Sequence, residues 1–408
     1  MSLAHSPYVV TNGLVYYHDM NNTKKSWRGW PVTNQFTLPT NAVNGFGVQN
    51  STFTRIYSGT YGDYTIQPTD YVWQYNITGP DCPYHGWDIP TTAGTVVVWS
   101  FSYYVSPTTV GYPSTNYIAN MENTGFGGGG GGYADPTPSV IGVWKTGYIV
   151  STATANGTAR CLMYPGACGG QLATSGFILY KNPQVEFNPP GSVPSPFVAG
   201  TRSSSQTILD LTGKNTITAN SLTYSSSGSA SFGGSDYCTV GSITGSFSSF
   251  TVSVWFNSTS VSNYRNPIDC NYSSYPGVTG NVGPRLEQNS SGNLVWVVSG
   301  NSTNNSVADA FTVQSSGLSA NTWYNAVITW TNGNANTYLN GVPVTVGAST
   351  PSGFVGTFGS VVIGKGFSLG GTERSFVGQV PNVQIYNRAL SASEVLQNFN
   401  AIRGVYGI

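Results

Sequence analysis

Charge is what this 408-residue chain has least of. Only 7% of its residues are Asp, Glu, Lys or Arg, and 15 basic side chains balance 15 acidic ones at a pI near 6.8. So sparse and even a distribution offers no basic stripe for phosphates and no patch for anionic lipid, which excludes nucleic acid and the membrane surface as partners. No apolar run reaches the length of a membrane-spanning helix, which excludes helical membrane insertion. The first ten residues lack the basic start and apolar core of a signal peptide, so synthesis in the cytoplasm is expected. Five cysteines, at 82, 161, 168, 238 and 270, are too few and too scattered for a disulfide scaffold. Cys161 and Cys168 either close a small loop or, as a reducing compartment favours, stay thiols. The three histidines, His5, His18 and His85, stand beside no nucleophile elbow. The five glutamates, Glu122, Glu186, Glu287, Glu373 and Glu394, are isolated from one another. Glycoside hydrolysis needs two carboxyl groups held about 5 to 9.5 Å apart, commonly alternating along one strand, and no such pattern occurs. No enzymatic activity and no catalytic residue is expected.

Gly, Ser, Thr, Asn and Tyr carry the polarity instead, as in hairpin-rich β proteins. Ten Trp, 18 Phe and 26 Tyr argue for packed structure over disorder and leave aromatics for surfaces and interfaces. The length suits two domains, each burying roughly 70% of its unfolded surface. The expected fold class is all-β: two antiparallel β-sandwich, jelly-roll domains, the C-terminal one followed by a short helix.

The last thirty-odd residues organise the chain. Residues 376–388 read as a strand rich in β-branched and aromatic residues, with Val383 and Ile385 alternating with Gln384 and Tyr386; Pro381 suits an edge or a bulge. Ser391 and Glu394 have the spacing of a capping box, and Leu390 that of a staple onto Val395. Val395, Phe399 and Ile402 share one helical face, and Gly404 is placed to end the helix. The matching residues Phe376-x-Gly378, Val383-x-Ile385-Tyr386-Asn387-Arg388-Ala389-Leu390-Ser391 and Glu394 resemble the closing motif of laminin G-like, concanavalin A-like β-sandwiches. With the ending Asn398-x-Asn400-Ala401-x-Arg403-Gly404-x-Tyr406-Gly407, the form is similar to that of structural proteins of tailed bacteriophages. The resemblance implies two stacked antiparallel sheets, a virion location after synthesis in the host cytoplasm, other virion proteins and copies of itself as partners, and a host-surface glycan as a ligand class.

Residues 1–12 read as an arm, and 13–24 as a strand that in the resembled phage proteins opens the sandwich and leads directly into an Asp-Leu-Ser/Thr-Gly-x-Asn turn. Here that turn stands at Asp210-Leu-Thr-Gly-Lys-Asn215, roughly 190 residues later. Either residues 25–187 form a second sandwich inserted after the first strand, or two domains follow in tandem and the strand belongs to the first. In that region β-rich runs at 51–57, 71–77, 95–105, 140–153, 158–164 and 174–187 resemble a carbohydrate-binding-module jelly roll, with Val97, Trp99, Phe101, Tyr103 and Val105 facing its core. Six glycines, 127–132, read as a flexible loop or a close-packed subunit contact. Residues 188–206 read as a proline-rich linker, and 207–408 as the laminin G-like domain. There Phe232, Tyr237, Val240, Val252, Val254 and Phe256 are expected in or beside the core, and Trp323, Val327 and Trp330 resemble a spacing of that family.

Sugar binding needs exposed aromatic planes with planar hydrogen-bonding partners. Tyr264, Asn266, Asn271, Tyr272, Tyr275 and Arg285 lie in a stretch that reads as loop-rich, and of these Tyr264, Tyr272, Tyr275 and Arg285 are the candidate ligand-binding residues, though in a chain so rich in Tyr and Asn the reading as hairpin and subunit contacts comes first. Asp81, Cys82, His85 and Asp88 form the one local cluster of ligand types, without the second Cys or His of a tetrahedral set, and no metal site is assigned. No cofactor is expected from the residues. Laminin G-like domains commonly carry calcium, so the resemblance admits Ca2+ near Asp236, Asp269 or Asp309, though no linear motif supports it.

Overall fold

The computed structural model describes residues 8–22, 25–36, 51–79, 85–111, 117–122, 133–134, 141–168, 173–224, 230–241, 243, 246–261, 263–270, 282–299, 309–314, 317–331, 334–344, 356–358, 360–367 and 373–408. The fold is antiparallel β throughout, with one α-helix, Ala392–Ile402, among the described residues. No described helix is long and apolar enough to cross a membrane. The chain divides into two compact units. One comprises the segment ending at Trp30 together with Ser203–Ile408; the other is Pro31–Arg202.

In the second unit a five-stranded sheet runs in the order Trp144–Thr152, Val96–Val105, Gly176–Phe187, Val72–Ile77, Ser51–Ile56. It faces a four-stranded sheet in the order Tyr133–Ala134, Tyr117–Glu122, Gly157–Cys168, His85–Thr91. Period-two alternation sends Val97, Trp99, Phe101, Tyr103 and Val105 into the core between them, where Ala119, Met121, Ala159, Cys161 and Met163 meet them from the other sheet. Val98 and Tyr104, on the opposite face, are buried as well, Tyr104 beneath the hairpin made by Thr60–Tyr61 and Tyr64–Thr65. Cys161 is buried and unpaired. The side chain of Cys168 lies outside the described residues.

The proline-rich stretch differs from its reading as a linker. Ser195 N–H donates to Glu186 Oε2 (2.8 Å) and Val198 N–H to Gln184 Oε1 (2.7 Å), so the stretch is stitched onto the strand Gly176–Phe187, and the boundary falls after Arg202. Buried Glu186 and Gln184 offer acceptors that prolines, having no N–H of their own, leave for their neighbours to fill.

The other unit is a sandwich of an eight-stranded and a seven-stranded sheet. The strand Val377–Tyr386 lies at the centre of the larger one, with Ser249–Ser258 along one side. On its other side Leu14–Asp19 pairs with residues 382–386, and Ala230–Gly233 with Val377 and Gly378. Pro381, having no N–H, sits where those two partners change over, opposite a bulge between Trp255 and Asn257. Gly378 has φ +140°, and a Cβ there would stand 2.0 Å from Asn257 O, which is why the closing motif needs glycine. The core between the sheets takes Tyr16, Phe232, Val240, Phe250, Val252, Val254, Phe256, Trp296, Trp330, Val383 and Ile385. Tyr237 is half-buried beside it, under the Lys365 ammonium.

The turn at Asp210 rejoins the opening strand. Asp210 Oδ1 accepts from Tyr17 N–H and Thr212 N–H (3.0 Å each), and Oδ2 from Thr212 Oγ1, Lys214 N–H, Asn215 N–H and Asn215 Nδ2. Thr212 Oγ1 and Asn215 Nδ2 in turn donate to Val15 O.

The helix caps the outer face of the larger sheet. Ser391 Oγ accepts from Glu394 N–H, and Glu394 Oε2 accepts from Ser391 N–H, closing the capping box. Arg388 holds both carboxylate oxygens of Glu394 at 2.6 and 2.9 Å. Leu390 and Val395 pack together with Tyr386, and Phe399 stacks on Trp255 at 5.4 Å. Gly404 does not end the helix as a left-handed cap: the α-helix stops at Ile402 and tightens into a 3-10 turn, Arg403–Val405, that contains it. The arm residues Tyr8 and Val10 are tied down by Gln397 Nε2, which donates to Tyr8 O, and by Asn398 Oδ1, which accepts from Val10 N–H.

Candidate functional site

The chemistry-bearing residues of the C-terminal sandwich gather on the outer face of its seven-stranded sheet. Along Arg265–Asp269 and its neighbour Val282–Gln288, the apolar Ile268 and Leu286 are register partners that point into the core. The next pair, Asp269 and Arg285, therefore points outward, and Glu287 follows on the same side. Two short strands, Lys365–Phe367 and Glu373–Ser375, pair with each other and lie over this face. Gly366 makes the close approach there: a Cβ on it would come within 2.8 Å of Asn266 Nδ2 and 3.0 Å of Asp269 Oδ2.

The result is a buried polar layer. Asn266 and Asp269 are fully buried, Arg285 is 1% exposed and Glu287 8%. Each oxygen of Glu287 meets a guanidinium, Oε2 that of Arg285 at 3.5 Å and Oε1 that of Arg374. Arg374 also lies 4.0 Å above the Tyr264 ring, and Lys365 pairs with Glu373 at 2.9 Å while resting 4.2 Å over Tyr237. Neither end of the Asn266 amide has a partner, although the side chain is buried. Arg265 reaches the covering strand through Nη1, which points at Ser375 O at 3.5 Å, and burial lowers its guanidinium pKa.

Of the sequence candidates, Tyr264 is 46% exposed at the rim of this layer. Arg285 is not on a loop surface. It lies within a strand under the covering hairpin, because two-residue alternation turns it outward and the hairpin then closes over it. Asn266 is likewise in a strand and buried. Tyr272, Tyr275 and Asn271 lie outside the described residues, as do Asp81, Cys82 and the six glycines 127–132. Of the cluster around His85, Asp88 is taken up by a two-point ion pair with Arg160 at 3.0 and 3.3 Å. Asp236 accepts from Gly233 N–H (2.6 Å) in its own turn, Asp269 lies in the polar layer, and the Asp309 side chain is outside the described residues. Among the described residues no three His, Cys, Asp or Glu side chains come together as a metal set. Arg265 and Arg374 were not singled out from sequence; the signal was the alternation of Arg265, Pro267 and Asp269 with Asn266 and Ile268, masked by a register shift between Arg265 and Ile268.

The laminin G 3 family model, described as the concanavalin A-like lectin/glucanases superfamily, matches residues 232–396. Those residues are a concanavalin A-like domain. Its two stacked sheets give it the form of a lectin-like β-sandwich, and the match takes in the polar layer and the first turn of the helix. No curated protein sequence matches the chain. Among solved structures it is similar to the receptor binding domain of botulinum neurotoxin C/D mosaic serotype, with 14% identity over 48% of this chain and 49% of that one and a TM-score of 0.36. It is similar to domain 4 of AbnA, a GH43 extracellular arabinanase from Geobacillus stearothermophilus, solved in complex with arabinotriose (20% identity, 48% and 92% covered, TM-score 0.36). It is also similar to a heptameric SAP-like pentraxin from Limulus polyphemus (18% identity, 41% and 78% covered, TM-score 0.32). The chain spans about half the length of the neurotoxin structures it matches.

Proposed function

We propose that this chain is a non-enzymatic structural protein of a tailed-phage virion, carried on the head, neck or tail, which displays its concanavalin A-like sandwich and associates with copies of itself and with other virion proteins. The observation that carries the reading is the split opening motif: Leu14–Asp19 and the Asp210 turn, in the form that resembles phage structural proteins, meet where Tyr17 N–H donates to Asp210 Oδ1, Leu211 N–H to Tyr17 O and Asn215 Nδ2 to Val15 O. The absence of catalysis is supported by Glu287, whose oxygens are both engaged by arginine. With each oxygen already held by a guanidinium, this carboxylate has no free oxygen to present to a glycosidic bond. The test is to band particles from a lysate and probe them with antibody to the C-terminal unit. Decoration of intact particles at a fixed position is expected, and protein that remains with the soluble fraction while particles are bare overturns the reading.

A second reading, that the protein is an adhesin binding host-surface glycans, is favoured by Tyr264, an exposed ring at the edge of a polar layer. Saturable binding on a glycan array, reduced by Tyr264→Ala and by changes at Tyr272 or Tyr275, distinguishes it. A depolymerisation assay on host polysaccharide tests the absence of catalysis, and sustained product release overturns it.

A further inference from the structure

The polar layer has a charge imbalance, and it falls beside the exposed tyrosine. Four cations, Arg265, Arg285, Lys365 and Arg374, share the layer and its covering strands with three carboxylates, Asp269, Glu287 and Glu373. The pairing is uneven. Glu287 is claimed by Arg285 and Arg374, Glu373 by Lys365, and Asp269 faces Arg285 across the ladder. Arg265 forms no ion pair among the described residues, and its Nε has no hydrogen-bond partner. The remaining residues of 203–408 supply no carboxylate to it. The other acids there are Asp210, Asp236, Asp309 and Glu394. Asp210 is consumed by its turn and Glu394 by Arg388, Asp236 is held in its turn, and Asp309 lies on the strand at the far edge of the same sheet. The stretches outside the described residues in that range, 225–229, 271–281, 300–308, 345–355 and 368–372 among them, contain no Asp or Glu at all.

A half-buried guanidinium without a counter-charge is costly unless something anionic completes it. Here it is followed by a second unusual feature, the fully buried Asn266 whose amide has neither donor nor acceptor satisfied. Immediately before Arg265 stands Tyr264, the one exposed aromatic ring of the layer among the described residues, already braced by Arg374. A ring for stacking and, next to it, a guanidinium without an ion pair, backed by a buried amide, are elements that recognise a sugar bearing a negative charge.

We infer that the Tyr264–Arg265–Asn266 corner of the sheet is a binding site for an anionic glycan, the sugar face lying on Tyr264 and its carboxylate or sulfate received by Arg265. The inference rests on the adhesin reading of this face and names the ligand class that reading leaves open. Arg374 holds the ring in place and Glu287 holds Arg374, so these two position the site without taking the ligand. Attraction between one half-buried cation and one anion arriving from solvent is partly screened by salt, so binding weakens as ionic strength rises.

The test uses the full-length protein and three probes of similar length: a neutral gluco-oligosaccharide, an oligogalacturonate and a sulfated oligosaccharide, each titrated calorimetrically at low and at high salt. Binding of the acidic probes in preference to the neutral one is expected, with affinity falling about tenfold in Arg265→Gln and largely kept in Arg265→Lys. Preference for the uronate over the sulfated probe, or the reverse, identifies which anion the site takes. Equal binding of neutral and acidic probes, or binding untouched by Arg265→Gln in a variant whose melting temperature is unchanged, overturns the inference and leaves the adhesin reading standing. Failure of every probe, and of a glycan array, to bind the wild-type protein overturns both.

Discussion

His18 lies fully inside the C-terminal sandwich with both ring nitrogens engaged: Tyr16 Oη sits 2.8 Å from Nδ1 and Val380 O 3.3 Å from Nε2. A carbonyl only accepts, so Nε2 carries the proton, Nδ1 accepts from Tyr16, and the ring is neutral. Burial pushes its pKa down to about 4. The unfolded chain takes up this proton below about 6.5 while the native protein does not until about 4, so stability present above pH 6.5 is lost as pH falls through that window, by roughly 3 kcal/mol at its foot. Asp19, whose carboxyl pKa burial raises, works in the opposite sense, so the difference between proteins isolates His18 better than the raw slope. Urea midpoints of wild type and His18→Gln, measured from pH 7 to pH 4.5, are expected to converge on acidification; parallel curves would show that the ring titrates normally. At Asp210 the expectation is of at least similar size. Asp210→Ala strips acceptors from Tyr17, Thr212, Lys214 and Asn215 at once, several of them part-buried, and should cost about 3 kcal/mol or more. A loss below about 1 kcal/mol by chemical denaturation would mean that water replaces these bonds freely.

At the level of elements, the C-terminal helix is the most self-specified piece of the chain. Its capping box, staple and apolar face are all legible in residues 390–402 because each depends on close neighbours in sequence. Ser391→Ala is expected to cost about 1 kcal/mol, read from the denaturant midpoint, and Ser391→Gly only a few tenths. Glu394→Gln keeps the box and loses the Arg388 pair, which lies near the surface and is worth less than about 1 kcal/mol. The strands of both sandwiches were legible for a similar reason, since alternation within Val96–Val105 or Ser249–Ser258 is local information. What stayed hidden depended on partners far away in sequence. Nothing local separates Arg285 on a loop from Arg285 in a strand, because the covering hairpin that buries it is made by Lys365–Phe367 and Glu373–Ser375. The proline-rich stretch misled in the same way: prolines rule out pairing but not docking, and the docking is done by Ser195 and Val198 onto side chains of the preceding strand.

At the scale of the whole chain, a contrast between two deletions follows from the division into a unit that ends at Trp30 and resumes at Ser203, and a unit Pro31–Arg202 between them. The first unit closes on itself just inside those ends: Arg28 N–H donates to Thr207 O at 2.9 Å, and Trp27 forms a bridge with Ile208. Replacing Pro31–Arg202 by a short Gly/Ser linker therefore spans a gap already zipped shut, and the loop-closure cost changes little with length. That shortened protein is expected to keep its β circular dichroism and a cooperative melt. Removing only residues 1–19 takes far less chain and does more damage. It leaves residues 382–386 of the central strand as an open edge, empties the core position of Tyr16, which is fully buried, and leaves Asp210 without its partner Tyr17. A large aromatic lost from a core costs about 3 to 5 kcal/mol, and the unmade ladder adds to it, against a total stability of about 5 to 15 kcal/mol. The short deletion should therefore be insoluble or molten while the long one folds. A well-folded protein lacking residues 1–19, or an unfolded one lacking Pro31–Arg202, would mean that the opening strand is an accessory to the sandwich rather than part of it.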